Sequence, residues 1–330
     1  MLFLTNRFLN EGPTPINEEG ELSELPRNVS FAKDNRVDQS IYFCRRNSFK
    51  NYTEIGHVDF FAELKNSNHR DVLFYIHGFN TQPEDAFKIT EKLQSLFEQK
   101  SLDYVVVVPL IWPSGEQVGI VRDYFDDQKA ADASEFAFMR LIEKFFAWRE
   151  EDEQISEPCP KRINILAHSM GNRVLRGAIK KVVQYYQTQG MPLIFRNIFM
   201  VAADVVNETL ELGQEGEFIS QATRNVVVYY AADDLALRSS KVANVKNAIA
   251  SRRLGHTGPE NMARVPKNVY AVDCDDFNND YDSPIGHTYF MSKRPDSLES
   301  GLLFDHLWEC IKGGRIPSNN QVDLRRQILS

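Results

Sequence analysis

Short apolar segments alternate with helix-type segments along most of this chain, and this alternation is the feature that most constrains its fold. "DVLFYIHG" (71–78) and "RINILAH" (162–168) are almost continuously apolar, as strands buried on both faces are. Segment 83–100 follows the first of them with apolar residues spaced for one helix face. Strands and helices that alternate in this way form a parallel sheet with right-handed connections, which predicts an α/β fold with helices on both faces of the sheet.

The same patterns predict the remaining elements of that sheet. Further strands are expected at 103–112, 192–204, 225–234 and 268–276, and further helices at 132–151, after 168, and at 298–312. The N-terminal stretches "MLFLTNRFL" (1–9) and "SIYFCRRN" (40–47) resemble strands with no helix between them. They therefore predict an antiparallel N-terminal edge on the mainly parallel sheet.

The chain is expected to form a single domain over residues 1–312. Residues 11–30 are acidic and contain proline, which predicts a surface loop. Segment 238–267 is basic, lies between two predicted strands, and could form a lid or insert over a site. Residues 313–330 begin with two glycines and are polar, which predicts a C-terminal tail.

Composition limits the function classes. The net charge is −8, with 46 acidic against 38 basic residues and no strong Lys/Arg cluster, so nucleic acid is a poor partner. The longest apolar run, 104–112, is far shorter than the ~20 residues that cross a bilayer, so no transmembrane segment is expected. The four cysteines show neither a disulfide framework nor zinc-site spacing, and the simplest interpretation is a cytoplasmic protein with reduced thiols. Composition leaves the oligomeric state open.

A serine stands where the strand 162–168 ends and a helix pattern begins. Small residues, Ala167 and Gly171, flank Ser169 two positions away on each side, so that the strand and the helix can pass closely. A serine is a poor nucleophile unless a histidine base, oriented by a carboxylate, activates it. At such a turn the N–H of Met170 would lie at a helix N-terminus, where it favours a developing negative charge. The alternative interpretation is a polar turn that contains a serine by chance.

A histidine that could act as the base follows the last predicted strand. His287 lies in the loop "SPIGHTYF" (283–290), whereas His306 falls within a helix pattern and His256 within the basic segment. His77, in "FYIHGFNT" (74–81), ends an early strand, and we expect it to shape the following loop through hydrogen bonds.

Three carboxylates between Ser169 and His287 could orient the base. Asp204 ends one predicted strand, and the adjacent Asp233 and Asp234 end the next. Neighbouring side chains in an extended segment point to opposite sides, so only one of the adjacent pair can face the site. The residues alone leave this choice open.

Several stretches together resemble the α/β-hydrolase superfamily, and more closely a bacterial α/β-hydrolase family of unknown function. The likeness covers about residues 1–312. It is carried by the strand-to-helix turn around Ser169 and by the stretches "FLTNR", "FYIHGFNT", "IWPSGE", "YYAADDLAL" and "GHTYF". Its fingerprint for the nucleophile is G-x-S-x-G, from which this chain departs with Ala167. The family's acid aligns with Asp234, which lies two residues before Ala236-Leu237.

The resemblance implies a serine hydrolase with an α/β-hydrolase fold. Ser169 would be the nucleophile, His287 the base and Asp234 the acid, and the N–H groups of Phe79 and Met170 would form the oxyanion hole. The expected reaction is cleavage of a carboxylic ester or thioester, with a small acyl ester, lipid-like among the options, as substrate. The reaction needs no metal or organic cofactor.

Two alternatives to hydrolysis stay open at this level. The chain could be a non-catalytic scaffold that binds or signals, because a fold does not determine a function. It could also be an acyltransferase that uses the same three residues. Aromatic side chains near the predicted site loops, Phe79, Trp112 and Tyr289, are the candidates for lining an acyl pocket.

Overall fold

One β-sheet organises the described part of the chain. The computed structural model describes residues 1–10, 26–115, 120–239, 252–317 and 326–329. Its strands are β1 (Leu2–Arg7), β2 (Arg27–Val29), β3 (Val37–Ser48), β4 (Asn51–Glu54), β5 (Asp71–Ile76), β6 (Val105–Ile111), β7 (Arg162–His168), β8 (Phe195–Val201), β9 (Thr223–Tyr230), β10 (Val269–Asp273) and β11 (Arg326–Ile328). Its helices are α1 (Gly56–Asn66), α2 (Pro83–Lys100), α3 (Ile120–Arg149), α4 (Asp152–Ser156), α5 (Gly171–Tyr185), α6 (Glu217–Ala222), α7 (Leu254–Thr257), α8 (Asn279–Asp282) and α9 (Leu302–Gly313).

The sheet is mainly parallel and has an antiparallel edge. Within the described ranges its strand order is β11-β10-β9-β8-β7-β5-β6-β1-β3-β4-β2. Neighbours from β11 through β1 are parallel, whereas β3, β4 and β2 continue the sheet in antiparallel pairs. The predicted fold class is therefore confirmed, including the N-terminal edge.

Helices cover both faces of the sheet. Because successive strand residues point to opposite faces, Val72 and Ile76 of β5 join the core beneath α1, α3 and α5. Leu73 and Tyr75 join a second core beneath α2 and α9. Because helices cover both faces, a central strand such as β5 is buried on both sides and is mainly apolar.

The sequence located α2 better than α3. Helix α2 spans Pro83–Lys100 as predicted, with proline in the first turn, where its missing N–H is not needed. Helix α3 instead begins at Ile120, twelve residues before the predicted start at 132. The added turns contain Asp123, Asp126 and Asp127, and aspartate is a weak helix former. Tertiary contacts of Asp127, described below, supply the stabilisation that local propensity does not.

Parts of the predicted domain organisation lie outside the described residues. These parts are 11–25 of the predicted surface loop, 240–251 of the segment that could form a lid, and 318–325 and 330 of the predicted tail. Three other residues of that tail, Arg326–Ile328, form β11 and pair in parallel with β10. The single-domain boundary and the lid stay predictions.

Three further expectations concern membrane-spanning segments, disulfides and metal sites. No helix among them is long and apolar enough to cross a bilayer. All four cysteines (Cys44, Cys159, Cys274 and Cys310) lie in the described ranges and are free thiols. In the same part of the chain, no group of three or more His, Cys, Asp or Glu side chains is placed to hold a metal ion.

Candidate active site

Ser169 occupies a sharp turn between β7 and α5. Strand β7 ends at His168, helix α5 begins at Gly171, and Ser169 between them has φ +52°. A residue other than glycine rarely adopts this left-handed conformation, which costs roughly 1–2 kcal/mol. Backbone hydrogen bonds to β8 and to the segment after it hold the turn: the Ser169 N–H donates to the Val201 carbonyl at 2.9 Å, and the Asp204 N–H donates to the Ser169 carbonyl at 3.1 Å.

Glycines at two positions allow close packing around this turn. A Cβ at Gly171 would lie 2.5 Å from the carbonyl oxygen of His77 and 2.7 Å from that of Ile76, so no side chain fits there. A Cβ at Gly78 would lie 2.9 Å from the Cβ of Ser169. The loop after β5 therefore passes directly beside Ser169, which explains the small residues in "HSMG" and "HGF".

His287 is hydrogen-bonded to Asp234. Its Nδ1 lies 2.6 Å from Oδ2 of Asp234, which is fully buried, and the Leu237 N–H donates to the other carboxylate oxygen at 2.9 Å. Burial by itself would lower the pKa of His287. The charge and the hydrogen bond of Asp234, with the charges of Asp282 and Asp204, outweigh it and raise the pKa above its usual value.

Asp282 holds the loop that carries His287. One of its carboxylate oxygens accepts from the His287 N–H and the other from the Thr288 N–H, both at 3.0 Å. Asp282 ends α8, in the acidic stretch "DCDDFNNDYD" that precedes the histidine. Sequence reasoning missed this residue, although its place just before "GHTY" was a usable signal.

His168, the residue before the serine, was also missed as a part of the site. Its Nε2–H donates to the His287 carbonyl at 3.1 Å, and the two imidazole rings lie 4.8 Å apart. Burial holds the pKa of His168 well below its usual value, so its ring is neutral. Its place beside Ser169 at the strand end could have identified it.

The two predicted oxyanion-hole donors follow the turns at Gly78 and Ser169. Among the described residues, neither the Phe79 N–H nor the Met170 N–H donates a hydrogen bond. Met170 lies at the N-terminal end of α5, where the helix dipole favours negative charge. Two unused N–H groups beside a serine match the requirement of an oxyanion hole.

The competing carboxylates have other partners. Asp233 accepts hydrogen bonds from the side-chain amides of Asn278 (2.5 Å) and Asn279 (2.6 Å). Asp204 accepts from the Tyr124 hydroxyl at 2.7 Å and pairs with Nε of Arg253 at 3.1 Å. Of the three candidates, Asp234 is the one that the structure brings to His287.

The side chains of His306, His256 and His77 do not line the cavity that Ser169 and His287 share. His306 is buried on α9 with its Nδ1 2.8 Å from the Tyr229 hydroxyl, and burial lowers its pKa to about 4. His256 lies on the short helix α7, and its side chain does not line the cavity described next. His77 is buried and stacks on Trp112, and burial lowers its pKa to about 4.

Ser169 and His287 open into one cavity of about 470 Å³. Among the described residues, no hydrogen bond joins the serine hydroxyl to the imidazole, as is common in catalytic sites without substrate. The rest of the wall is mainly apolar and aromatic, and includes Tyr75, Phe79, Ile89, Tyr124, Leu235, Leu237, Ile285 and Phe290.

Of the predicted aromatic lining residues, Phe79 lines this cavity, but the expectation was wrong for Trp112 and Tyr289. Trp112 is buried and stacks on His77, with ring centroids 5.2 Å apart. Tyr289 is buried, with its hydroxyl toward the Tyr229 carbonyl. Phe290, one residue on, faces the cavity instead.

The parallel sheet, its antiparallel edge and the strand-to-helix turn at Ser169 define an α/β-hydrolase fold. Residues 55–298 match the family described as "Alpha/beta hydrolase of unknown function", DUF900, and the chain belongs to this family. The match confirms the predicted superfamily and a hydrolase-like fold. Comparison with curated proteins and with solved structures gave no match.

Proposed function

We propose that this protein is a serine hydrolase that cleaves a carboxylic ester or thioester through an acyl-enzyme intermediate. The observation that carries the proposal is the 2.6 Å contact between Asp234 and His287 in the same cavity as Ser169 on its left-handed turn. A base oriented by a carboxylate beside a serine is the constellation that activates a serine hydroxyl.

The proposed reaction begins with attack of Ser169 Oγ on the substrate carbonyl carbon. The serine proton passes to Nε2 of His287, while Nδ1–H donates to Asp234, whose charge stabilises the imidazolium. The N–H groups of Phe79 and Met170 bind the carbonyl oxygen as it becomes negative. Nε2–H then protonates the leaving alcohol or thiol, and water, activated by the same nitrogen, releases the acid.

The cavity wall supports an apolar acyl group. Ile89, Leu235, Ile285 and Phe290 line it alongside the serine, and a cavity of about 470 Å³ lies within the size range of small-molecule sites. A small, lipid-like acyl ester or thioester fits these surroundings.

Reaction with a fluorophosphonate probe, followed by mass-spectrometric mapping of the adduct, tests the proposal. The probe should phosphonylate Ser169, and Ser169→Ala should abolish both labelling and hydrolysis of short p-nitrophenyl esters, with a loss of several orders of magnitude in kcat.

Ser239 offers the matched control, since it is another serine on the same cavity wall. Its hydroxyl donates to the Leu235 carbonyl at 3.0 Å, and no imidazole within the described ranges is hydrogen-bonded to it. Ser239→Ala should still be labelled. A protein that reacts with neither probe nor ester would favour a non-catalytic scaffold, whereas acyl transfer to an alcohol in preference to water would favour an acyltransferase.

A further inference from the structure

The direction of the Phe79 N–H depends on the two peptide groups that flank this residue. The loop after β5 turns at His77-Gly78 and at Asn80, and belongs to no strand or helix until Pro83 begins α2. In such a loop the backbone ladder does not orient an N–H group, so side chains or other loops must do so.

His77 orients the first of these peptide groups. Its Nδ1–H donates to the Gly78 carbonyl at 2.9 Å, while its Nε2 accepts from the Trp112 N–H at 3.2 Å. In a trans peptide the carbonyl and the following N–H point in opposite directions. With the Gly78 carbonyl held toward His77, the Phe79 N–H points away from it.

Asp127 orients the second peptide group. The Asn80 N–H donates to Oδ2 of Asp127 at 3.0 Å, and Asn80 has φ +52°, so the chain reverses at this residue. Asp127 lies on α3, in the turns that the sequence did not predict as helix, and its side chain is buried. The contact joins residues 47 positions apart in the sequence.

The same carboxylate also holds the neighbouring loop after β6. It accepts from the Ser114 hydroxyl at 2.7 Å and from the Gly115 N–H at 3.0 Å. Ser114 Oγ in turn accepts from the Thr81 N–H at 3.2 Å. Asp127 and Ser114 together therefore tie two successive N–H groups, those of Asn80 and Thr81, to the 112–115 loop.

We propose that Asp127 is a positioning residue for the oxyanion hole, which it serves by fixing the peptide between Phe79 and Asn80. The proposal rests on the proposed function, because only a carbonyl that becomes an oxyanion at Ser169 needs this N–H. Asp127 does not line the cavity and touches no substrate. Its effect on the reaction should therefore act through the oxyanion hole and not through substrate binding.

Asp127→Asn tests this assignment, because the amide keeps the shape of the side chain but loses one of its two acceptor oxygens. In the wild type those two oxygens accept from the Asn80 N–H, the Ser114 hydroxyl and the Gly115 N–H. We expect kcat to fall roughly 10- to 100-fold, the effect of a small misplacement of a catalytic group, with KM within about twofold of the wild type. Affinity for an alkyl trifluoromethyl ketone, which forms an oxyanion on Ser169, should fall in parallel with kcat, because such analogues report transition-state binding.

Asp71→Asn is the matched control. Asp71 is likewise a buried aspartate, with one carboxylate oxygen accepting from the Asn164 side-chain amide at 3.2 Å. It begins β5, at the opposite end of the strand from the His77 loop, so its substitution should leave kcat and ketone affinity unchanged. A residue with a merely structural role would lower the melting temperature without lowering the activity of each folded molecule.

The outcomes separate this inference from the proposed function. If the wild type and Asp71→Asn fail to react with the fluorophosphonate at Ser169, the proposed function is wrong. If both react and Asp127→Asn retains wild-type kcat and ketone affinity, only the role of Asp127 is wrong. If Asp127→Asn does not fold, Ser114→Ala decides, because it removes the hydroxyl partner of the carboxylate. A several-fold lower kcat in that variant would support the role of Asp127, and an unchanged kcat would overturn it.

Discussion

At the scale of single residues, Asp233 and Asp234 are adjacent in the chain but contact different partners. Asp233 is bonded to two asparagine amides, whereas Asp234 is fully buried against His287. The two residues are of the same type, so their different contacts follow from the different directions of their side chains.

Substitution of each carboxylate by its amide separates the candidates for the acid. Asp234→Asn should lower kcat by roughly 10⁴-fold, by analogy with the serine-protease triad, because the amide no longer orients or stabilises the imidazolium. Asp233→Asn and Asp204→Asn should lose far less activity, and Asp204→Asn should also lose stability because Arg253 keeps its buried charge. Steady-state kinetics measures the change in kcat, and thermal unfolding measures the change in stability. A large loss of kcat in Asp204→Asn with near-native Asp234→Asn would assign the acid to Asp204.

The pH dependence of kcat/KM reports the pKa of His287. The base must be neutral to accept the serine proton, so activity should fall as the pH falls through this pKa. Because Asp234 raises that pKa, the midpoint should lie above the usual value of 6.5. In Asp234→Asn the charge and the hydrogen bond of Asp234 are lost, while burial still lowers the pKa and the charges of Asp282 and Asp204 still raise it. The midpoint of the residual activity should therefore move to lower pH. The same midpoint in the wild type and in Asp234→Asn would contradict the effect of Asp234 on the pKa of His287.

At the scale of elements, a row of buried amides crosses the sheet from β7 to β9. The Asn197 side-chain amide donates to Oδ1 of Asn164 at 2.8 Å, and that of Asn225 donates to Oδ1 of Asn197 at 2.9 Å. These residues are direct partners in the pairing of β7, β8 and β9. A shift by one residue would leave the amides without partners, so the row favours one strand register.

Asn197→Leu tests this row. The substitution leaves an acceptor on Asn164 and a donor on Asn225 buried without a partner, which should lower the free energy of unfolding by about 1–3 kcal/mol. The activity of the folded fraction should not change, because Asn164 lies roughly 16 Å along β7 from Ser169 at 3.3 Å per residue. Urea unfolding followed by circular dichroism measures the change, and an unaltered midpoint would contradict it.

The stretch "FLTNR" also gains a physical explanation at this scale. Polar residues of β1 are buried: the Thr5 hydroxyl donates to the Ile111 carbonyl at 2.7 Å, and the Arg7 guanidinium donates to the Ser114 carbonyl at 3.1 Å. Strand β1 thereby supports the loop after β6, which Asp127 joins to the loop of Phe79.

At the scale of the whole molecule, buried histidines link stability to pH. Burial lowers the pKa of His306 from its usual 6.5 to about 4, so the unfolded chain takes up the proton first as the pH falls. The protein should therefore lose stability as the pH falls from 6.5 toward 4, by at most about 3 kcal/mol for this residue.

His306→Asn isolates that contribution, because an asparagine oxygen can still accept from the Tyr229 hydroxyl but does not titrate. The free energy of unfolding of this variant should depend less steeply on pH between 4 and 6.5 than that of the wild type. His57→Asn, on a half-buried histidine of α1, should retain most of the wild-type slope. Equal slopes for the wild type and His306→Asn would contradict the prediction.

The sequence by itself determined the features that depend on near neighbours. Hydrophobic periodicity predicted the alternation of strands and helices, the bounds of α2 and the parallel sheet. The small residues around Ser169 predicted the turn, because a strand and a helix can pass closely only where side chains are small. These are local properties, expressed over a few successive residues.

Only the tertiary structure decided which distant residues meet. Asp234 and His287 are 53 positions apart, and the sequence left three carboxylates in competition for the histidine. Helix α3 begins in a stretch with weak helix propensity, and the contacts of Asp127 with the loops of Asn80 and Ser114 stabilise it there. Which side chain faces the cavity, as Phe290 does and Tyr289 does not, likewise follows from how the sheet, helices and loops pack together. Local propensity carries no information on such contacts, because they form only when the sheet brings the ends of separate strands to one edge.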